Sequence, residues 1–312
     1  MQKFSKIVPE KLNTAVALGF FDGIHKGHRR VIKPVVCQKA NGLVPVCFTF
    51  AQSPKSVLRG APESALMTEV DKLRTLEKIG IVHTFCVDFK TVVNMPAADF
   101  ITEILAKQLH AKYVACGFNY RFGKNGGGDS KTLKALCDEI GIEAIIVPPE
   151  KASGEIVSST LIRKLIANGE VRRANELLCS HFGFCSVIEH GKQLGRKLGT
   201  PTINQPLCPE LAVPRFGVYA SAVTLEDGKT YCGVTNIGTK PTVGCFAPLC
   251  ETWMPDYEGG EIYGETADIR LIDFIRGEKK FADIDALKDA IIANAATAKK
   301  IYEQTYTLSS DR

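Results

Sequence analysis

Along the first half of the chain, short apolar and β-branched runs alternate with segments whose apolar positions recur every three or four residues. The runs Thr14 to Phe20, Leu43 to Phe50, Ile81 to Phe89, Tyr113 to Phe118 and Ile142 to Val147 predict buried strands. Between them, Arg29 to Ala40, Glu69 to Ile79, Ala98 to Leu109 and Lys131 to Ile140 carry helical spacing. Thr68 and Asp71 form a capping-box pattern, and Gly80 and Gly141 stand where helices stop. Two further short helices, Ser159 to Ala167 and Glu170 to Leu178, are broken at Asn168-Gly169. Such alternation predicts an α/β fold: a doubly wound parallel sheet with helices on both faces, binding ligands beyond the carboxyl ends of its strands.

After about residue 181 the pattern changes to short β-type runs separated by Gly-rich turns: Val187 to Glu189, Val218 to Leu225, Thr230 to Ile237, Glu251 to Met254 and Ala267 to Phe274, with Asp227-Gly228 as a hairpin turn. This half predicts a small β-barrel. A last helix, Ile284 to Tyr302, carries Leu287, Ile291 and Ile292 as the face that packs on it.

A length of 312 residues suits two domains, 1–180 and 181–312. With 45% hydrophobic and 23% charged residues, the chain is excluded from the disordered, collagen-like and membrane-spanning classes. No apolar run has transmembrane length, and Ala15 to Phe21 leads into Asp22 without a cleavage pattern, so a cytoplasmic location is expected. The 11 cysteines include no C-x-x-C pair, and His181/Cys185 and Cys245/Cys250 lack the second ligand pair of a zinc site; reduced, mostly buried thiols are expected. Residues 1–180 carry 25 Lys and Arg against 17 Asp and Glu, and residues 181–312 carry 14 against 17. A basic first half suits a polyphosphate ligand as well as nucleic acid, but no Lys/Arg block or aromatic-interleaved RNA motif is present, so no nucleic-acid partner is expected.

Directly after the first strand comes Gly19-Phe20-Phe21-Asp22-Gly23-Ile24-His25-Lys26-Gly27-His28, followed by a helix from Arg29. Glycines permit a tight loop close to a ligand, and a helix N-terminus offers N–H groups and a partial positive charge to a phosphate. His25 and His28 then face that anion. A transferring phosphoryl centre needs positioning and charge neutralisation, so paired imidazoles with metal ions suffice without a covalent intermediate.

This stretch resembles the His-x-Gly-His signature of the nucleotidyltransferase superfamily, and Gly19 to Gly23 narrow the resemblance to its flavin-nucleotide branch. Val157 to Arg163 is similar to that family's Ile-Ser-Ser-Thr-x-x-Arg segment. The resemblance implies ATP phosphates held by Gly19, Phe20, Asp22, Gly23, Ser158, Ser159 and Thr160, with His25, His28 and Arg163 catalytic. Without it, Ser158 reads as a helix cap and Arg163 as a solvated cation. Gly117 to Asp129 looks like the family's Arg-Phe-Gly…Gly-Asp loop, implying flavin contacts from Asn119, Arg121 and Asp129; its middle, Lys124 to Gly127, is richer in glycine than the pattern.

In the second half, Gly195 to Asn204 is similar to the Gly-Arg-x-Leu-Gly-x-Pro-Thr-Ala-Asn motif of riboflavin kinases, departing at Ile203. The resemblance implies ATP phosphates on Gly195, Arg196, Gly199 and Thr200, and Thr202 and Asn204 as oxygen ligands to Mg²⁺. Phe216 to Ala220 and Val234 to Thr242 also match, and Glu251 stands where the family places the base that accepts a primary hydroxyl's proton. An ordinary strand carboxylate on a solvated face is the plainer reading. Trp253, Met254-Pro255 and Cys185 depart from the pattern; Pro255 implies that its strand ends there or lies at an edge, and Trp253 either stacks on a ligand ring or buries against the barrel. Gly228-Lys229-Thr230 is not a Walker A loop, because Val223 occupies the first glycine position.

With both motif sets in order over nearly the whole chain, the sequence is identified as a member of the prokaryotic bifunctional FAD synthetase family. Membership implies ATP-dependent phosphorylation of riboflavin to FMN, then adenylylation of FMN to FAD with release of pyrophosphate. Small-molecule partners are implied, no membrane, and an open oligomeric state. The rival readings are an adenylyltransferase for another acceptor, such as phosphopantetheine or nicotinamide mononucleotide, and a flavin carrier or regulator with decayed kinase residues.

Overall fold

The computed structural model describes residues 2–4, 12–191, 199–239 and 248–307. The chain forms two compact units, Met1–Glu63 with Thr68–Ser159, and Ser64–Met67 with Thr160–Arg312.

The first unit is built on strands β1 (Gln2–Phe4), β2 (Thr14–Leu18), β3 (Val44–Phe50), β4 (His83–Val87), β5 (Ala111–Gly117) and β8 (Glu143–Val147). They form one parallel sheet in the order β1-β4-β3-β2-β5-β8. Helices α1 (Lys26–Cys37), α2 (Pro54–Arg59), α3 (Glu69–Lys78), α4 (Ala97–Asp99) and α5 (Ser130–Glu139) connect them. Strand β2 is buried at all five positions, as expected of a strand covered on both faces. Beyond α4 the chain widens into a π-helix over Phe100–Gln108, with Leu109 N bonding Ile104 O, where the pattern predicts one plain helix. Phe48, Phe85, Phe100 and Leu105, all nearly or fully buried, anchor the core on that side. Thr68 Oγ accepts from Asp71 N as the capping pattern requires, and Gly80 and Gly141 adopt left-handed φ values of 102° and 72° at the stops. Small pairs β6 (Arg121–Phe122) with β7 (Gly128–Asp129), and β9 (Lys151–Ala152) with β10 (Glu155–Ile156), decorate the loops.

Because the chain returns from β4 to place β5 on the free side of β2, the order reverses between β2 and β5. In open parallel sheets ligands bind beyond the carboxyl ends at such a switch point, and the segments that follow β2 and β5 there, residues 19–25 and 118–127, belong to the two motifs.

In the second unit, α6 (Ser159–Asn168) and α7 (Val171–Leu178) precede an antiparallel sheet. Its strands are β11 (Gly183–Val187), β12 (Thr202–Pro206), β13 (Gly217–Leu225), β14 (Thr230–Thr239), β15 (Pro248–Trp253) and β16 (Thr266–Gly277), in the order β11-β16-β13-β14-β15-β12. The ends of this sheet meet: Glu189 N donates to Asn204 O, and the buried Gln205 amide donates to Ser186 O at 2.6 Å and Ala267 O at 2.9 Å, so the sheet curls into a nearly closed barrel. Inside it, the hydroxyls of Ser221, Thr235 and Thr252 form a fully buried chain with 2.8 Å links. Asn175 ties α7 to this unit, donating to Leu271 O and accepting from Phe182 N. Residues 160–180 therefore group with the barrel, while the change of hydrophobic pattern falls at 181.

The last helix, α8 (Ile284–Thr307), covers β13 and β14. Its contact face is Ala295, Ala298, Ile301 and Tyr302, packed on Val218, Ala220 and Val234. Ile292, expected on that face, is half exposed, because the buried stripe runs through Asn294 and Ala298 instead.

Candidate functional sites

Helix α1 begins inside the His-x-Gly-His motif, three residues before the expected Arg29. The cause is local: His25 is the N-cap, its extended backbone followed by a side-chain Nδ1 that accepts from His28 N at 3.3 Å. By position, the N–H groups of Lys26 and Gly27 are first-turn donors without intrahelical acceptors.

The imidazoles of His25 and His28 stack, with centroids 3.6 Å apart and planes 16° apart, and Phe21 meets the edge of the pair. Burial pushes His25 down from 6.5 to about 4. His28 is held well below 6.5, first by burial, then by the nearby His25 and Lys72 charges. Both rings are therefore neutral at neutral pH. Since Nδ1 of His25 is an acceptor, its proton resides on Nε2, which makes His25 a neutral donor. His28 Nδ1 is buried without a hydrogen-bond partner.

The turn before the helix is strained. Phe21 and Ile24 have φ of 55° and 38°, in the left-handed region that β-branched residues avoid. Each such residue costs about 1–2 kcal/mol, and burying each side chain contributes about 1.5–3 kcal/mol, so packing offsets the strain. Both side chains are 1% exposed or less. A Cβ on Gly19 would meet the Phe21 ring at 2.9 Å, so the residue must be glycine. Four side chains hold the turn's carbonyls: Lys72 Nζ donates to Phe20 O at 2.8 Å and Thr49 Oγ1 to the same oxygen at 2.9 Å, Ser159 Oγ to Asp22 O at 3.0 Å, and Arg29 Nε to Ile24 O at 3.2 Å. Asp22 and Gly23 are buried, Phe20 and Ser158 half-buried, and Thr160 exposed. The structure thus brings Gly19, Phe20, Asp22, Gly23 and His25 into one turn, with His28 in the first turn of α1 and Ser159, at the start of α6, bonded to Asp22 O. Arg163 belongs to the second unit, where its Nε donates to Ser64 O at 2.6 Å.

Sequence reasoning missed Lys72. It lies on the buried side of α3 four residues before Leu76, where a charged residue breaks the apolar pattern; that break is the signal.

After β5, Asn119 and Arg121 are exposed. Asp129 is the N-cap of α5: its Oδ1 accepts from Thr132 N at 2.8 Å and Thr132 Oγ1 at 2.9 Å, which lowers its carboxyl below the ordinary range.

In the barrel, β12 places Thr202 and Asn204 on one face, and β15 places Glu251 directly opposite Asn204. On the other side Glu251 opposes Asn236 of β14, so the carboxylate is flanked by an asparagine on each neighbouring strand. Trp253, half-buried, opposes Thr202 and Val234, and β15 ends there, two residues before Pro255. Gly199 has φ 75° and Thr200 is buried. Gly195 and Arg196 lie outside the described residues, as do Lys240 to Thr242. A cavity of about 370 Å³ opens beside Thr202, lined by Ile203, Met254, Tyr257, Glu261 and Tyr263 among others; Glu251 is not in its wall.

Gly191 lies against the Asn204 amide: a Cβ there would fall 2.3 Å from Nδ2 and 2.7 Å from Oδ1. Asn204 is 5% exposed and has little room to yield. Gly191→Ala is therefore expected to swing the amide away and to cost about 1–3 kcal/mol of stability; urea unfolding of the variant against the wild type checks this.

The lowered His25 value fixes an acid dependence. Between pH 6.5 and about 4 the unfolded chain binds a proton at residue 25 that the folded chain refuses, so stability falls as pH drops through that window and this loss ends below it. The full effect is about 3 kcal/mol. Urea unfolding at about pH 7 and about pH 4 should show His25→Gln losing less stability than the wild type by that amount; equal losses contradict the assignment.

The FAD synthetase family model matches residues 8–161, and the riboflavin kinase model matches residues 178–302. The bifunctional riboflavin kinase/FMN adenylyltransferase of Escherichia coli (strain K12) is 32% identical over 293 residues, 93% of each chain. That of Bacillus subtilis (strain 168) is 33% identical over 296 residues, 91% of each. A crystal structure described as a macrolide-efflux protein from Streptococcus pneumoniae superposes with a TM-score of 0.87 at 29% identity, covering 96% of this chain and 98% of that one. Among the described residues no helix is long and apolar enough to cross a membrane. Matched by both family models in sequence order and by relatives of the same name along more than nine-tenths of its length, the chain belongs to the bifunctional riboflavin kinase/FMN adenylyltransferase family.

Proposed function

We propose that the two activities of this family are divided between residues 1–180, which adenylylate FMN, and residues 181–312, which phosphorylate riboflavin, in a cytoplasmic enzyme. The observation that carries the first half is the stacked, neutral imidazole pair at the start of α1, beside the switch point of the sheet. In adenylyl transfer, an FMN phosphate oxygen attacks the α-phosphorus of ATP. A new P–O bond forms, the bond to the β-phosphate oxygen breaks, and pyrophosphate leaves. His25 donates from Nε2 and the first-turn N–H groups of Lys26 and Gly27 receive the phosphates, with His28 beside them and the Ser158 and Ser159 hydroxyls as further ligands. Neutral donors suit a site whose charge is supplied by the nucleotide itself. Asn119 and Arg121 take the flavin end, and Asp129 fixes the start of α5 beside them.

In the barrel, the riboflavin primary hydroxyl attacks the γ-phosphorus of ATP, Glu251 accepts the hydroxyl proton, and ADP leaves. Gly195, Arg196, Gly199 and Thr200 hold the phosphates. The donors of Thr202 and Asn204 are hard neutral oxygens, and among the described residues no cluster of three His, Cys, Asp or Glu forms a metal cage. Such a set fits Mg²⁺ held partly by substrate phosphates, which would neutralise charge on the transferring group. Incubating FMN with Mg-ATP should yield FAD and pyrophosphate one to one; FMN consumed without pyrophosphate contradicts adenylyl transfer.

A further inference from the structure

Lys72, in the first turn of α3, is 9% exposed, and its ammonium turns inward. It donates to Phe20 O at 2.8 Å and to Thr49 Oγ1 at 3.3 Å, and sits 4.4 Å from the centroid of the Phe20 ring. Thr49 Oγ1 itself donates to Phe20 O at 2.9 Å, so Lys72, Thr49 and Phe20 close a small polar knot under the first residues of the turn. Burial lowers the lysine's proton affinity, while the carboxylates of Asp22 and Glu69 oppose that effect. The Cys47 thiol is pushed up to about 12 by burial, so it brings no thiolate to the knot.

A buried lysine is costly where a methionine would fill the same volume, and stability alone gives no reason to keep it. What it does hold is the entry to a turn with two strained non-glycine residues, on which the helix start and both imidazoles depend. We propose that Lys72 is a positioning residue of the adenylyl-transfer site, pinning the Phe20 carbonyl from below so that the Phe21–His28 turn presents its donors to the ATP phosphates. It acts through the turn and does not touch substrate. The inference rests on the assignment of His25 and His28 to this reaction.

The test is Lys72→Met in the full chain. The account expects kcat/KM for ATP in FMN adenylylation to fall at least about tenfold, with KM for FMN within about twofold, riboflavin phosphorylation in the same sample unchanged, and Tm unchanged or raised. Adenylylation within about twofold of wild type, or a fall in Tm with unchanged constants for the folded fraction, overturns it. Should Lys72→Met not fold, Thr49→Val removes one of the ammonium's acceptors at similar volume; a fall of about threefold or more with Tm held supports the proposal, and no change overturns it. His28→Ala measured alongside separates the two levels: if that variant keeps full adenylylation, the site assignment fails; if only the Lys72 and Thr49 variants are silent, the positioning role alone fails.

Discussion

Glutamine in place of Glu251 is expected to lower riboflavin phosphorylation by about 10²–10⁴-fold, the usual contribution of a positioned proton acceptor. The substitution keeps the shape of the side chain and its ability to hydrogen-bond, and removes only the capacity to take a proton. Among the described residues, the barrel interior is held by the Ser221, Thr235 and Thr252 hydroxyls and by Gln205, on the opposite face of the strands from Glu251. Asn204 and Asn236, in register on either side of residue 251, still flank the amide. The lesion therefore falls on chemistry, and FMN supplied from outside should be adenylylated at the wild-type rate. Initial rates of FMN formation, with flavins separated by chromatography, measure the effect; a loss under threefold would return Glu251 to an ordinary strand carboxylate.

His28→Ala should lower FAD formation by about 10²–10³-fold, the scale seen when one preorganised donor is removed from a site of developing charge. The variant keeps the backbone N–H that His25 caps, so the helix still starts at Lys26. It loses the ring stacked on His25 and edged by Phe21, and with it the imidazole proposed to stand beside the ATP phosphates. Riboflavin phosphorylation should continue, so FMN accumulates. Far-ultraviolet circular dichroism and Tm establish that the loss is not unfolding.

The Gly19–His28 motif was legible because it is made of adjacent residues on a strand–loop–helix junction, where local geometry and chemistry coincide. The alternating strands and helices of the first unit were legible for the same reason, as were the stops at Gly80 and Gly141. The start of α1 was not, because its cap is a histidine, outside the Ser, Thr, Asp and Asn set that marks most helix starts. Strand β12 was hidden by its composition: Thr202, Asn204 and Gln205 are polar, and Gln205 is buried only because barrel closure supplies the carbonyls of Ser186 and Ala267 as partners. Those partners lie 19 and 62 residues away, a distance no local pattern carries. Lys72 was hidden in the same way, since its acceptors, Phe20 and Thr49, come from other loops and strands. The grouping of α6 and α7 with the barrel likewise depends on Asn175 reaching Leu271 and Phe182.

The most direct test of two separable sites in one chain is complementation. His28→Ala and Glu251→Gln are each incubated with riboflavin and Mg-ATP, then mixed, and the flavins are separated over time. The first alone should stop at FMN, the second should leave riboflavin unchanged, and the mixture should produce FAD through free FMN. If either single variant loses both reactions while folded, or the mixture yields no FAD, the division of labour between the imidazole turn and the barrel carboxylate is wrong.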